Sequence, residues 1–407
     1  MLVDADGSAT DWLVGYGPPP DKFLERLDKS LKGVDTFKSL SERYAKEPKN
    51  IEVLFKLGQK LESRYDEENQ KKALNLFKEV IAVDPEGKMG TTEYEKEKVS
   101  YTEYAEFSIG SMSIFSMKAD PAPLKAFLKK YSESAIVKSA YQYLSYYYQD
   151  SDSKEEATQF FEEYIGRYPQ DPDVLNSYVS RIIQDKENLD KGIELGEKIR
   201  EIMKYSPRPS YMKNLAELYV LKGDKTKAEE LYGKDFMDGQ VSRLPYNLID
   251  YAQFWVKQKT NTESAMEMAE LALKLRPDNS YLLQSAARIY CQLDKVDKAL
   301  EIFGPEFIKN HLDKASDLNS YAWFWAGQGN NLESALESAK KSVELSQESS
   351  HYWDTLSFVY SKLNRNEDAL KAAETALKLA EEAKETYFIP RIKQRIEQIK
   401  KAIAEKK

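Results

Sequence analysis

Of the 407 residues only one is a cysteine, Cys291, so no internal disulfide can form and no CxxC pair exists. Histidine is nearly as scarce: His311 and His351 lie far apart, leaving no Cys/His set with zinc-site spacing. No stretch approaches the roughly 18 consecutive apolar residues of a membrane-spanning helix. Met1-Leu2-Val3-Asp4 lacks the basic start and apolar run of a signal peptide. A soluble chain is expected, its compartment unknown. An excess of one charge is missing too, with 60 basic residues against 68 acidic and a pI near 5.3, so no global field favours nucleic acid or an anionic membrane. There is no phosphate-cradling Gly-rich loop, no GxSxG and no HExxH. Carboxylate pairs such as Glu162-Glu163, in a sequence that is 31% charged, read as solvent-facing. These absences argue against an enzyme, and no cofactor is expected.

What is present is repetition. Leu248, Leu283, Leu318 and Trp353 are spaced evenly by 35 residues, and each is followed seven positions later by an aromatic: Trp255, Tyr290, Trp325 and Tyr360. Ala265, Ala299, Ala335 and Ala369 then recur, so each period predicts an aromatic-bearing helix and a second helix containing the alanine. Alternate units match best. Tyr251-Ala252-Gln253-Phe254-Trp255 returns as Tyr321-Ala322-Trp323-Phe324-Trp325, and Asn261, Glu263, Ser264 and Ala265 return as Asn331, Glu333, Ser334 and Ala335.

The motif extends towards the amino terminus. Leu54, Leu57, Gly58, Leu61, Ala73, Phe77, Val80 and Pro85 carry it, with extra residues around Asp66 to Gln70 assigned to the inter-helix turn. Tyr141, Leu144, Ser145, Tyr148, Ala157, Phe161, Tyr164 and Pro169 carry it without insertion, as do Met212, Leu215, Ala216, Tyr219, Ala228 and Tyr232 with an altered exit. Large residue, small residue, aromatic, alanine and frequent terminal proline, in that order, resemble the tetratricopeptide repeat. The resemblance implies an all-α solenoid of about nine helical hairpins over residues 34–382, capped at 383–407 by a helix with Ile392, Ile396, Ile399 and Ile403 on one face. Small residues at Gly58, Ser145, Ala216, Ala252, Ala287, Ala322 and Ser357 are expected to let the two helices of a hairpin approach. Segment 87–100 and the break at Gly304-Pro305 read as loop insertions.

Residues 1–33 differ in texture. Leu2 to Gly7 reads as a strand entering a turn, Trp12 to Tyr16 as the returning strand, and Asp21 as the cap of a helix carrying Phe23, Leu24, Leu27 and Leu31. With Pro18-Pro19-Pro20 between them, these resemble the last third of a thioredoxin-like domain, over about a twelfth of the chain. A truncated beginning is therefore expected, with residues 1–33 docked on the first repeat or pairing with another copy.

The repeat resemblance implies a concave groove lined by first-helix residues: Gln142, Tyr146 and Gln149; Tyr246, Gln253 and Lys257; Tyr281, Gln284, Arg288 and Gln292; Asn319 and Trp323; Asp354, Phe358 and Lys362. Aromatics and amides suit an extended peptide or a helix. Trp323, which replaces Gln253 of the sister unit, is the most suggestive position. The Lys, Asn and Arg set with which chaperone-binding members hold a peptide carboxylate is not found. The leading expectation is a non-catalytic scaffold for a protein or peptide. The alternative is the repeat portion of a thioredoxin-like thiol-disulfide oxidoreductase whose CxxC part lies upstream. No nucleic acid and no membrane insertion are expected, and self-association through the amino-terminal hairpin is a further expectation.

Overall fold

The computed structural model describes residues 2–3, 9–13, 20–64, 66–116, 118–239, 244–385 and 387–405. The chain divides into two compact units, Met1–Tyr205 and Ser206–Lys407, a division that the repeat pattern does not announce.

The first unit begins with strands β1 (Leu2–Val3) and β2 (Ala9–Asp11), paired antiparallel, and helices α1 (Pro20–Leu31) and α2 (Phe37–Lys46). The returning strand is thus Ala9–Asp11, earlier than expected; Trp12 lies beyond it because its indole is drawn into the first repeat, and residues 14–16 fall outside the described set. Trp12 Nε1 donates to the Lys60 carbonyl at 3.2 Å and to Ser63 Oγ at 3.0 Å, and the ring lies 4.7 Å from Phe37. Asp11 is fully buried, paired with Lys60 at 2.8 Å, and accepts from Ser30 Oγ at 2.6 Å and from the Phe37 amide at 3.3 Å. The amino-terminal segment is therefore docked on the first hairpin. Leu24 and Leu31 of α1 stay exposed.

Four helical hairpins follow: α3 (Ile51–Glu62) with α4 (Glu67–Val83), α5 (Tyr101–Ile114) with α6 (Ala122–Lys130), α7 (Val137–Asp150) with α8 (Lys154–Arg167), and α9 (Pro172–Asp185) with α10 (Leu189–Ile202). The extra residues near Asp66 lengthen α4 by a turn instead of the loop. Asp66 caps that helix through the Asn69 amide, and Glu67 and Glu68 suit its positive end. Segment 87–100, expected as a loop, contains a β-hairpin, β3 (Thr91–Tyr94) and β4 (Glu97–Ser100), turning through Glu95 and Lys96 at positive φ. Its charged outer face disguises the alternation that seats Tyr94 against Tyr104 and Phe107 and buries Val99.

The second unit comprises α11 (Pro209–Leu221) with α12 (Lys225–Tyr232) and a short α13 (Lys234–Asp238); α14 (Pro245–Gln258) with α15 (Thr262–Leu275); and α16 (Ser280–Gln292) with α17 (Val296–Phe303) and a short α18 (Pro305–Lys309). Then come α19 (Ala315–Gln328) with α20 (Leu332–Leu345), α21 (Ser350–Lys362) with α22 (Asn366–Glu382), and α23 (Ile389–Ala404). Small-residue packing is as expected: Ala252, Ala287, Ala322 and Ser357 are fully buried, as are Ala265, Ala299, Ala335 and Ala369 opposite them. In the first unit a Cβ on Gly58 would meet the Phe77 ring at 2.9 Å. Ile392, Ile396 and Ile399 of α23 bury against the alanines of α22, so this helix covers the outer side of the last hairpin.

The alternation of tryptophan and tyrosine rungs has a structural cause. Second helices α12 and α17 are interrupted at Gly233 and Gly304, where any Cβ would run into the backbone carbonyl oxygen of Glu229 or Leu300. Each break leaves a carbonyl to be satisfied, and the following tryptophan does so: Trp255 Nε1 donates to Tyr232 O at 2.9 Å, and Trp325 Nε1 to Phe303 O at 2.7 Å. The second helices ahead of Tyr290 and Tyr360, α15 and α20, run uninterrupted.

Candidate functional site

In the second unit the first helices of successive hairpins pack on one another, α14 on α16, α16 on α19 and α19 on α21. Equivalent residues therefore come side by side. Tyr246 and Tyr281 sit 5.8 Å apart, Gln284 Nε2 donates to the Ser320 carbonyl at 3.4 Å, and Trp323 and Phe358 are 4.6 Å apart. On α16, Tyr281, Gln284, Arg288 and Gln292 recur at helical spacing and share a face.

This face has two different ends. Towards α14 it is open: Tyr246 and Tyr281 are each about half exposed, at 51% and 53%, and Arg288 and Gln292 are exposed. Among the described residues Arg288 has no ionic partner. Gln253 is half-buried, and Lys257 reaches across to Glu217 at 3.0 Å. Asn319 presents a buried Oδ1 with no hydrogen-bond partner. Beyond Asn319 the face is closed by α23. Arg395 binds Asp354 through Nε at 2.6 Å and Nη2 at 3.3 Å, Arg391 adds an ion pair at 3.5 Å, and Asp354 is buried. The same two guanidinium groups lie over the Trp323 ring at 4.8 and 5.6 Å, and Arg395 also lies over Phe358. Lys362 is exposed, its ammonium 5.3 Å from the Phe358 ring.

The expectation that Trp323 and Asp354 stand open in a groove is thereby corrected. Their register is right, but the cap helix supplies basic residues to those positions, as a further first helix would. Arg391 and Arg395 flank the isoleucine stripe of the terminal helix, and nothing in that local pattern reveals which neighbour they meet. In the first unit Tyr146 is half exposed and accepts from Gln142 Nε2 at 3.1 Å, while Gln149 is half-buried. Near it the buried Arg181 donates to the carbonyls of Tyr148, Gln149 and Ser151 at 2.6, 3.2 and 2.8 Å and pairs with Asp185 at 2.6 Å. That staple was not foreseen, since an arginine on an apolar face carries no register signal of its own.

Hairpin geometry, small-residue contacts and aromatic rungs together decide the fold. It is an all-α array of stacked helical hairpins, the architecture that the tetratricopeptide resemblance implies. No family model and no curated protein matches the chain. Among solved structures, the APC/C hetero-tetramer Cut9–Hcn1 aligns over 86% of this chain and 63% of that chain, at 11% identity and a TM-score of 0.32. The MamA RS-1 ArsTM double mutant aligns over 43% of this chain and 96% of that one, at 16% identity and a TM-score of 0.28. The aligned part thus spans less than two thirds of the Cut9–Hcn1 chain, and at these scores neither likeness bears on function. Among the described residues no helix is long and apolar enough to cross a membrane, and no cluster of His, Cys, Asp and Glu could hold a metal ion. Cys291 is half-buried, and burial pushes its thiol pKa up, the opposite of an activated nucleophile.

Proposed function

We propose that this protein is a non-catalytic interaction scaffold that holds a peptide or protein segment along the open first-helix face of its second unit. The observation that carries the reading is the exposed Tyr246–Tyr281 pair, in line with an unpaired Arg288 on the same helix face. Two half-exposed aromatic rings held side by side offer contact area at low entropic cost. Gln253 and Gln284 can bond an extended backbone. A segment with an apolar or aromatic residue for the tyrosines and a carboxylate for Arg288 fits these groups.

Selection of a random peptide display library on the intact chain tests this. Enriched peptides are expected to combine an aromatic residue with an acidic one. The double substitution Tyr246→Ala/Tyr281→Ala should weaken them by roughly 10- to 100-fold, as loss of two aromatic anchors implies, with the melting temperature unchanged. Enriched peptides whose affinity ignores both this variant and Arg288→Glu would refute the reading. The alternative, the repeat portion of a thioredoxin-like oxidoreductase, has no observation in its favour. Self-association through the amino-terminal hairpin is a separate proposal, decided by sedimentation at several concentrations.

A further inference from the structure

The first unit holds an open cavity of about 540 Å³ between the end of α5 and the turn joining α7 to α8. Its walls are of two kinds. Phe115, just past α5, and Tyr146 of α7 present their rings 6.1 Å apart and well exposed, with Tyr143 edge-on to both and Tyr147 beside them. Asp150 and Asp152 supply two exposed carboxylates.

Of the nearby cations, the exposed Lys118 beside the lining Ala119 makes no ion pair with Asp150 or Asp152, and three others are committed elsewhere. Lys125 pairs with Glu156 and covers Tyr148, Lys154 pairs with Glu187, and Arg181 pairs with Asp185. Among the described residues neither Asp150 nor Asp152 has an ionic partner. Asp150 is also badly placed for stability. It is the last residue of α7, at the negative end of the helix dipole, in a final turn without any basic residue. An unpaired acid at that position, beside two ring faces that a core could have absorbed, contributes little to the fold.

We propose that this cavity is a binding site for a cationic side chain, arginine or lysine, presented by a partner polypeptide. The π-faces of Phe115 and Tyr146 attract the cation, and Asp150 and Asp152 set its sign. The site is separate from the Tyr246–Arg288 face and has the opposite charge preference. It stands or falls independently of the function proposed for that face.

The test is a ligand-observed NMR titration of the full chain with N-acetyl-arginine methylamide, the lysine analogue, and the citrulline analogue, which keeps the shape of arginine without its charge. Arginine and lysine probes are expected to bind at millimolar concentration, weakening as salt is raised, with citrulline at least fivefold weaker. Asp150→Asn/Asp152→Asn should weaken the arginine probe by roughly 5- to 30-fold, and so should Phe115→Leu/Tyr146→Leu, the range expected for losing two exposed ionic or two exposed cation–π contacts. Asp150→Asn alone should leave the melting temperature unchanged or slightly raised, which a structural carboxylate would not. Equal binding of citrulline and arginine overturns the proposal, as does wild-type affinity in the Asn or Leu double variant. So would loss of the arginine probe's binding in Tyr246→Ala/Tyr281→Ala, which would move it to the other unit.

Discussion

Replacing Trp325 by phenylalanine separates two roles that a buried tryptophan can play. Its side chain is fully buried, and its indole N–H donates to the carbonyl of Phe303, the last residue of α17 before the Gly304 break. Phenylalanine removes roughly 40 Å³, worth about 1 kcal/mol at ~24 cal/mol per Å³ of cavity. It also leaves the Phe303 oxygen buried and unpaired, which costs a further 1–3 kcal/mol or so. The expected total is about 2–4 kcal/mol. Trp325→Ala should cost roughly 3–5 kcal/mol for the truncation, with the orphaned carbonyl in addition. Tyr290→Phe is the control: that rung follows the uninterrupted α15, and its hydroxyl donates at 2.8 Å to the half-exposed Glu270, so its loss should cost no more than about 1 kcal/mol. Guanidinium unfolding followed by tryptophan emission is a suitable assay, because Trp255, Trp323, Trp325 and Trp353 all lie in the second unit and Trp12 alone in the first. A Trp325→Phe cost equal to that of Tyr290→Phe would refute the claim that the tryptophan rungs exist to complete interrupted helices.

Other expectations concern charge. Burial pushes the Glu62 carboxyl up to about 7, so the folded first unit gives up stability as pH rises from about 4.5 through 7. The loss is about 3 kcal/mol at most, and Glu62→Gln should flatten that slope in a series of melts; an unchanged slope would exclude Glu62 as its source. Asp11 behaves oppositely: burial alone would raise its pKa, but the hydrogen bonds from Lys60 and Ser30 outweigh it and hold the carboxyl below its usual value. Its contribution is present above about pH 4 and lost as pH falls through the depressed value, so Asp11→Asn should reduce stability at neutral pH and narrow the acid-side fall. Arg395→Ala leaves Asp354 buried with only Arg391 near it and should cost about 2–3 kcal/mol, somewhat less than a buried carboxylate left wholly unpaired. Trp323→Ala should lower the melting temperature measurably, because the ring is covered by Phe358 and two guanidinium groups. An unchanged melting temperature would mean that α23 does not rest on it in solution.

The repeat was legible because packing imposes its chemistry locally. A hairpin whose helices touch at Ala252, Ala287, Ala322 or Ser357 tolerates only small residues there, and rungs such as Trp255 and Tyr290 must fill the space beside them. The helical hairpins and the isoleucine face of α23 followed from that pattern, as did the register of Tyr246, Tyr281 and Arg288 on their helices. The β-hairpin at Thr91–Ser100 was missed because its strands alternate charged with polar and aromatic residues instead of polar with apolar. Phe115 was missed because it lies inside the hairpin of α5 and α6, whose sequence fits the repeat pattern poorly, so that no register could place it.

What the sequence by itself determined, then, is which side chains share a helix face, since 3.6-residue periodicity depends only on neighbours in the chain. Which of those faces are open was decided by tertiary structure. Trp323 and Phe358 stand at the same repeat position as Arg288, yet α23 covers them and leaves Arg288 exposed. Whether a position meets water or another helix depends on packing between residues about 35 or more apart, and no local pattern encodes it. The pairing of Trp325 with Phe303 spans a shorter distance, 22 residues, but is likewise tertiary: the Gly304 break and the indole that completes it meet only where α17 packs near α19.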